Sequence, residues 1–263
     1  MSFTVATWNV NSIRARMHAL LPWLKENPVD VVCLQETKVQ DHDFPTDRIE
    51  AAGYHVVFCG EKSYNGVAIL SKEPLENVRA GFDDDGPADE PRLILGDVAG
   101  VTILNTYVPQ GREPDHPMFA YKLEWFARLR SMLEAEFSPE RSLVWVGDLN
   151  VAPTDIDVWN PKQLLGHVCF NPQATEAMER VISWGLVDVF RKHVSDPGHY
   201  TFYDYRAINA VDEGKGWRID HILATAPLAE RSVDSWIDLT PRTGPKPSDH
   251  APLLARFEIK DGA

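Results

Sequence analysis

The chain is built of short apolar runs that repeatedly stop on polar residues of catalytic type. The run at 3–8 leads into Asn9-Val10-Asn11, that at 29–34 into Gln35-Glu36-Thr37-Lys38, and that at 142–146 into Gly147-Asp148-Leu149-Asn150. The run at 101–107 ends on Thr106-Tyr107, and others lie at 55–59, 67–70, 92–98, 217–224, 233–237 and 251–259. Several are continuously apolar and rich in Val and Ile, the pattern of strands covered on both faces. Arg218-Ile219-Asp220-His221 and Ser248-Asp249-His250 add two more polar clusters beside the late runs. Carboxylates disfavour strands and are costly to bury, so chance seldom sets so many at strand termini. Strands sharing one edge would bring them into a single cleft, where open α/β sheets bind ligands.

Helical spacing fills the gaps. Met17, Leu20, Leu21 and Leu24 share one face, with Pro22 predicting a kink or a second helix start. Phe119, Leu123, Phe126, Leu129 and Leu133 line a long helix beginning at Pro117. Ala177, Met178, Val181, Ile182 and Trp184 line another, ended by Gly185. Gly100 between two strand runs predicts a hairpin turn. Strands, helices and hairpins mixed in this way predict an α/β sandwich. With no repeat and no low-complexity linker, one domain over residues 1–263 is expected.

Four carboxylates, Glu36, Asp148, Asp220 and Asp249, would then meet Asn9, Asn150, Tyr107 and His250. Such a set suits a hard divalent cation on oxygen ligands, magnesium first and manganese as a substitute, with a His–Asp pair for proton transfer. Taken singly, each residue has a plain reading. Glu36 could cap a helix, Asp148 and Asn150 could form an Asx turn, and Asp220 could pair with Arg218. Jointly the plain readings require several coincidences. No H-E-x-x-H helix, G-x-S-x-G elbow or phosphate-binding P-loop is present to support another chemistry. Three cysteines without a C-x-x-C pair exclude a disulfide scaffold and fit a reducing compartment. No signal sequence or membrane-length apolar segment is visible, so a cytoplasmic protein without membrane attachment is expected.

The blocks Trp8-Asn9-Val10-Asn11-Ser12-Ile13-Arg14-Ala15-Arg16, Leu34-Gln35-Glu36-Thr37-Lys38 and Asn65-Gly66-Val67-Ala68-Ile69-Leu70-Ser71 resemble those of the exonuclease III family of abasic-site endonucleases. So do Tyr107-Val108-Pro109-Gln110-Gly111, the 147–155 block, Ser183-Trp184-Gly185-Leu186-Val187-Asp188, Gly216-Trp217-Arg218-Ile219-Asp220-His221 and the 246–252 block. This family lies within the endonuclease/exonuclease/phosphatase superfamily, and the resemblance runs in order along nearly the whole chain. It implies a four-layer α/β sandwich, two mixed β-sheets packed face to face and flanked by helices. It implies a monomer that cleaves duplex DNA 5′ to abasic sites, with 3′-to-5′ exonuclease and 3′-phosphatase action on blocked 3′ ends.

By the same resemblance, Glu36 is the main magnesium ligand, supported by Asn9 and Asp249, with Asp148, Asn150 and His250 at the same centre. Asp148 orients or deprotonates the attacking water, and Asn150, Tyr107 and His250 stabilise the phosphate oxygens. Asp249 is expected to hold the His250 tautomer, and Asp220 to support the site. Phe202, Trp217 and Ile219 match an apolar pocket for the base-less sugar, with Arg14, Arg16, Lys38 and Lys215 as phosphate contacts. Ser12 departs from the family pattern, standing where Gly is commoner, and Phe202 replaces a Trp of some members. Two competing readings are a superfamily phosphoesterase acting on phosphoinositide, sphingomyelin or RNA, and a binding protein without catalysis. The retained Glu36, Asp148, Asn150, Asp249 and His250 argue against the second.

Composition sharpens this picture. With 39 acidic against 26 basic side chains the net charge is -13, which by itself disfavours a polyanion partner. Much of that excess sits in the 80–91 segment, read as a solvated acidic loop, and in the four strand-end carboxylates. DNA contact is therefore expected on a local basic rim around an acidic, metal-binding cleft.

Overall fold

The computed structural model describes residues 1–84, 86 and 90–259; Asp85 and Asp89 of the acidic segment lie outside them. In the first half, β1 (Ser2–Asn9), α1 (Ile13–Glu26), β2 (Val31–Gln35), α2 (Thr46–Glu50), β3 (His55–Cys59) and β4 (Val67–Ser71) are followed by β5 (Glu76–Ala80), β6 (Leu93–Val98) and β7 (Val101–Tyr107). Next come α3 (Pro117–Glu136), β8 (Leu143–Asp148), α4 (Pro161–Leu164), α5 (Pro172–Ile182), β9 (Leu186–Asp188) and α6 (Val189–His193). The chain then forms β10 (Asp220–Thr225), α7 (Ala226–Ala229), β11 (Ser232–Ile237), α8 (Thr240–Thr243) and β12 (Leu253–Glu258).

Two six-stranded sheets result, ordered β11-β12-β1-β2-β4-β3 and β5-β6-β7-β8-β10-β9. Each holds one parallel pair, β1 with β2 and β7 with β8, bridged by the long helices α1 and α3. The other pairings are antiparallel. Val5, Val31, Ile69, Ile103, Val146, Ile222 and Phe257 form an apolar layer between the sheets. On the outer faces, Met17, Leu20 and Trp23 of α1 pack on the first sheet, and Phe126, Leu129 and Leu133 of α3 on the second. Both faces of the central strands are thus covered, which explains their unbroken apolar sequence. The expected four-layer arrangement is observed.

Several local expectations are refined. Pro22 lies inside a single continuous α1, with no second start. Helix α3 begins at Pro117 in its first turn, as expected, while α5 stops at Ile182, short of Trp184. Ala99 and Gly100 both have positive φ, at 51° and 75°, which matches the two-residue turn with right-handed strand twist joining β6 and β7. The run expected at 217–224 is a strand only from Asp220, because Trp217 forms isolated bridges with Val158 and Phe202 instead.

A polar bridge aligns the two sheets near their functional edge. Asn105 of β7 donates from Nδ2 to the carbonyls of Leu34 and Ala68 on the facing sheet, at 3.0 and 2.9 Å. Gln35 Nε2 donates to Asn105 Oδ1 at 2.7 Å and to Thr7 Oγ1 at 2.9 Å. Buried amides of this kind tolerate only the register that pairs them.

Candidate active site

The strand directions bring the polar run-ends to one edge. Asn9 ends β1 beside Gln35 of β2, and Glu36 follows directly. Tyr107 of β7 is the register partner of Asp148 on β8, and Asp148 that of Asp220 on β10. Ser248-Asp249-His250 enters β12, which runs antiparallel to β1. The backbone there is unusual: Asn11, Ser12, Glu36, Lys38 and Asn150 all have positive φ. Non-glycine residues held in that region mark functional turns at a conformational cost. Gly147 is sterically required, since a Cβ there would lie 1.9 Å from the Thr106 carbonyl oxygen.

Asn9 stands at the centre. Its Nδ2 donates to Glu36 Oε1 and Asp148 Oδ2, both at 2.9 Å. Tyr107 donates its hydroxyl to Glu36 Oε1 at 2.7 Å, and Lys38 Nζ lies 2.6 Å from Glu36 Oε2. Burial alone would raise the Glu36 carboxyl, but Lys38, Asn9 and Tyr107 overcome it and hold the group below its ordinary range. Tyr107 is pushed well upward by burial and by the charges of Glu36 and Asp148, so it remains a neutral donor.

The His250 contacts correct one expectation. Its Nδ1 pairs with Asp220 Oδ2 at 2.8 Å, whereas Asp249 accepts from Asn11 Nδ2 at 3.0 Å. With its carboxylate on Asn11, Asp249 does not brace the ring of the next residue. Asp220 therefore fixes the imidazole, and Nε2 lies 3.8 Å from Asp148 Oδ2. Burial raises the Asp148 carboxyl to about 7, with His250 pulling it down and Asp220 and Glu36 pushing it up. Burial opposes charge on His250, yet Asp220, Asp148 and Asp249 raise it to about 10. At neutral pH the pair is a cationic imidazole beside a carboxyl poised to exchange a proton.

Around this centre is a cavity of about 210 Å³. Glu36, Tyr107, Asp148, Asn150, Asp249 and His250 form its polar side, and Phe202, Trp217 and Ile219 its apolar side. Phe202 packs against His250 with ring centroids 5.0 Å apart. The basic residues separate: Lys38 is in the cluster, while Arg14 pairs with Asp43, Arg16 donates to Tyr205, and Lys215 pairs with Glu213. None of these four lines the cavity itself.

Gln110, His167, Cys169, Asp204 and Arg206 also line it and were not anticipated. They sit on loops without periodicity; Gln110 falls in the Tyr107–Gly111 block, and no pattern in the sequence singles out the other four. His167 lies over Trp217 with ring centroids 4.8 Å apart, so an imidazole shares the apolar wall. Burial raises the Cys169 thiol to about 11, leaving it a neutral lining group. Beneath the wall, Arg218 is fully buried and binds Asp157 at 2.7 Å and Asp188 at 2.8 Å.

The donor set fits a hard cation. Glu36, Asp148 and Asp249 could supply carboxylate oxygens and Asn150 an amide oxygen, while Asn9 turns its Nδ2 to Glu36 and Asp148 and its Oδ1 to the Asn11 N–H; the Lys38 ammonium already neutralises Glu36 as a cation would. Asp220 Oδ1 is buried with no hydrogen-bond partner among the described residues. Asp148, Asp220 and His250 also offer potential ligand atoms within 4.8 Å of one another, although the Nδ1 of His250 is committed to Asp220.

The geometry has counterparts in known proteins. The model of the Endonuclease/Exonuclease/phosphatase family matches residues 6–250. Exodeoxyribonuclease III of Haemophilus influenzae is 37% identical, covering 96% of this chain and 98% of its own. An AP endonuclease from Archaeoglobus fulgidus superimposes with a TM-score of 0.96 at 50% identity, covering 98% of this chain and 100% of that one. The 3′ phosphatase NExo from Neisseria, solved with a product DNA hairpin, gives 0.92 at 34% identity with the same coverage. With its fold and nearly its whole length matched, this chain belongs to the Endonuclease/Exonuclease/phosphatase family.

Proposed function

We propose that this protein is a magnesium-dependent DNA-repair phosphodiesterase that cleaves duplex DNA 5′ to abasic sites and processes 3′ ends. One observation carries the reading: the carboxylate–histidine cluster and the Phe202–Trp217–Ile219 wall share one cavity. Phosphodiester hydrolysis needs a prepared water and donors where negative charge builds, and the polar side supplies both. A sugar without its base fits a small apolar recess that would exclude a complete nucleotide.

In this reading Glu36 and Asp249 would hold the metal, joined by Asn9 once its amide turns the oxygen toward Glu36, and the metal would supply Lewis-acid stabilisation of a phosphate oxygen. Asp148 takes the proton of the attacking water, its raised carboxyl matching the task at neutral pH. His250, held by Asp220, presents Nε2–H to a non-bridging oxygen. Tyr107, once its hydroxyl leaves Glu36, and Asn150, through the Nδ2 hydrogen not given to Val108, add neutral donors at the same phosphate. Manganese is the expected substitute metal, and the monomer the acting form.

The test uses duplexes carrying one abasic analogue or one 3′ phosphate, incubated with magnesium or with chelator. Magnesium-dependent incision or phosphate release is expected. No cleavage of either duplex with magnesium present would overturn the reading.

A further inference from the structure

We infer that Lys122 is a positioning residue for this reaction, its buried ammonium tying together three loops that form the cavity. The inference rests on the phosphodiesterase reading above. Lys122 lies on α3 and is completely buried, a rare state for lysine without a paired carboxylate. Among the described residues, no carboxylate lies within ion-pairing distance of it. Its Nζ instead donates to three backbone carbonyls: Asn150 at 2.7 Å, Val168 at 2.9 Å and Gln110 at 3.2 Å. Three acceptors match the three hydrogens of an ammonium, whereas a neutral amine has two.

Each carbonyl belongs to a different segment. Gln110 follows β7, Asn150 follows β8, and Val168 lies between His167 and Cys169. Gln110, Asn150, His167 and Cys169 all line the cavity. One ammonium therefore ties three parts of its lining, in the manner of a bound cation. The tie to Asn150 has a direct consequence for the chemistry. Asn150 is held at a φ of 51°, and its backbone N–H donates to Asp148 Oδ1 at 3.0 Å. The path from ammonium to carbonyl to strained turn ends on the residue assigned to the water. An apolar side chain of similar length would fill the space but leave three buried carbonyls unpaired.

The test compares wild-type enzyme with Lys122→Met and Lys122→Gln on an abasic-analogue duplex. Rates are measured well below the lowest unfolding temperature seen by circular dichroism. For Lys122→Met, kcat is expected to fall by about 10- to 100-fold with KM unchanged, the penalty of a displaced catalytic group. Lys122→Gln retains a two-hydrogen donor and is expected to lie between the two. Wild-type kcat in either folded variant, or a loss confined to KM, would overturn the inference. Should neither variant fold, ¹⁵N-lysine NMR of the wild-type protein decides: a slowly exchanging ammonium with couplings to the three carbonyls is expected, and its absence overturns the inference. An inactive wild-type enzyme would instead refute the phosphodiesterase reading, so the two failures are distinguishable.

Discussion

His250 takes its orientation from Asp220, 30 residues away in sequence, and not from the adjacent Asp249. The identities at this centre were legible because carboxylates at strand ends need a reason to be there. The partner of each was not, since pairing depends on which strand edges meet. Asp220→Asn should remove the charge that keeps His250 cationic, lowering kcat by about 100-fold with DNA affinity little changed. Steady-state kinetics checks this, and an unaltered kcat would return Asp220 to a purely structural part. Asp148→Asn should abolish turnover in the same assay while filter-binding still detects the complex; retained wild-type rate would remove Asp148 from its assigned step. Ser12 adopts a φ of 85° and makes no side-chain cap to α1, a conformation in which glycine is the less strained residue. Ser12→Gly is therefore expected to stabilise the fold by about 1 kcal/mol in urea unfolding. A lower midpoint would show that the serine supports its turn in another way.

Among the strands, the apolar ones were legible, the edge strands β3 and β11 included, and the edge strands β5 and β9 were not. β5 (Glu76–Ala80) is largely exposed and polar, and β9 has only three residues, so neither shows the pattern of a buried strand. Below the cavity wall, the alternation around Arg218 does legible work once seen in three dimensions: Trp217 and Ile219 face the cavity, and Arg218 binds Asp157 and Asp188. Burial would raise both carboxyls, but Arg218 pulls each below the ordinary range, with His221 aiding at Asp188 and Thr154 and Arg191 at Asp157. The unfolded chain thus binds protons first as pH falls. The stabilisation is complete above the unfolded value of about 4 and is lost as pH drops toward the lower folded values. Urea unfolding from pH 6 down to about pH 3 should show this loss, and Asp157→Asn should flatten it. An equally steep profile in the variant would contradict the assignment. Gly147→Ala, with its Cβ driven into the Thr106 carbonyl, should displace Asp148 and lose activity together with stability.

A net charge of -13 is compatible with a DNA enzyme because the acidity is partly the active centre and the rim cations are local. Arg14, Lys215 and Arg206 are each paired with a nearby carboxylate, so contact with phosphate must exchange one partner for another. Binding to undamaged duplex should accordingly be weak and depend shallowly on salt, with a log–log slope of about -3 or less steep. A slope typical of a broad basic surface would contradict a confined interface. The central claim is that the strand-end cluster is a metal-dependent phosphodiesterase centre organised on Glu36. Its most direct test is a magnesium titration of abasic-duplex cleavage by chelator-stripped wild-type protein and Glu36→Gln. Cleavage should return with added magnesium in the wild type and remain far lower in the variant at every concentration. Cleavage by the stripped wild type without metal, or an identical titration curve for Glu36→Gln, would contradict the account.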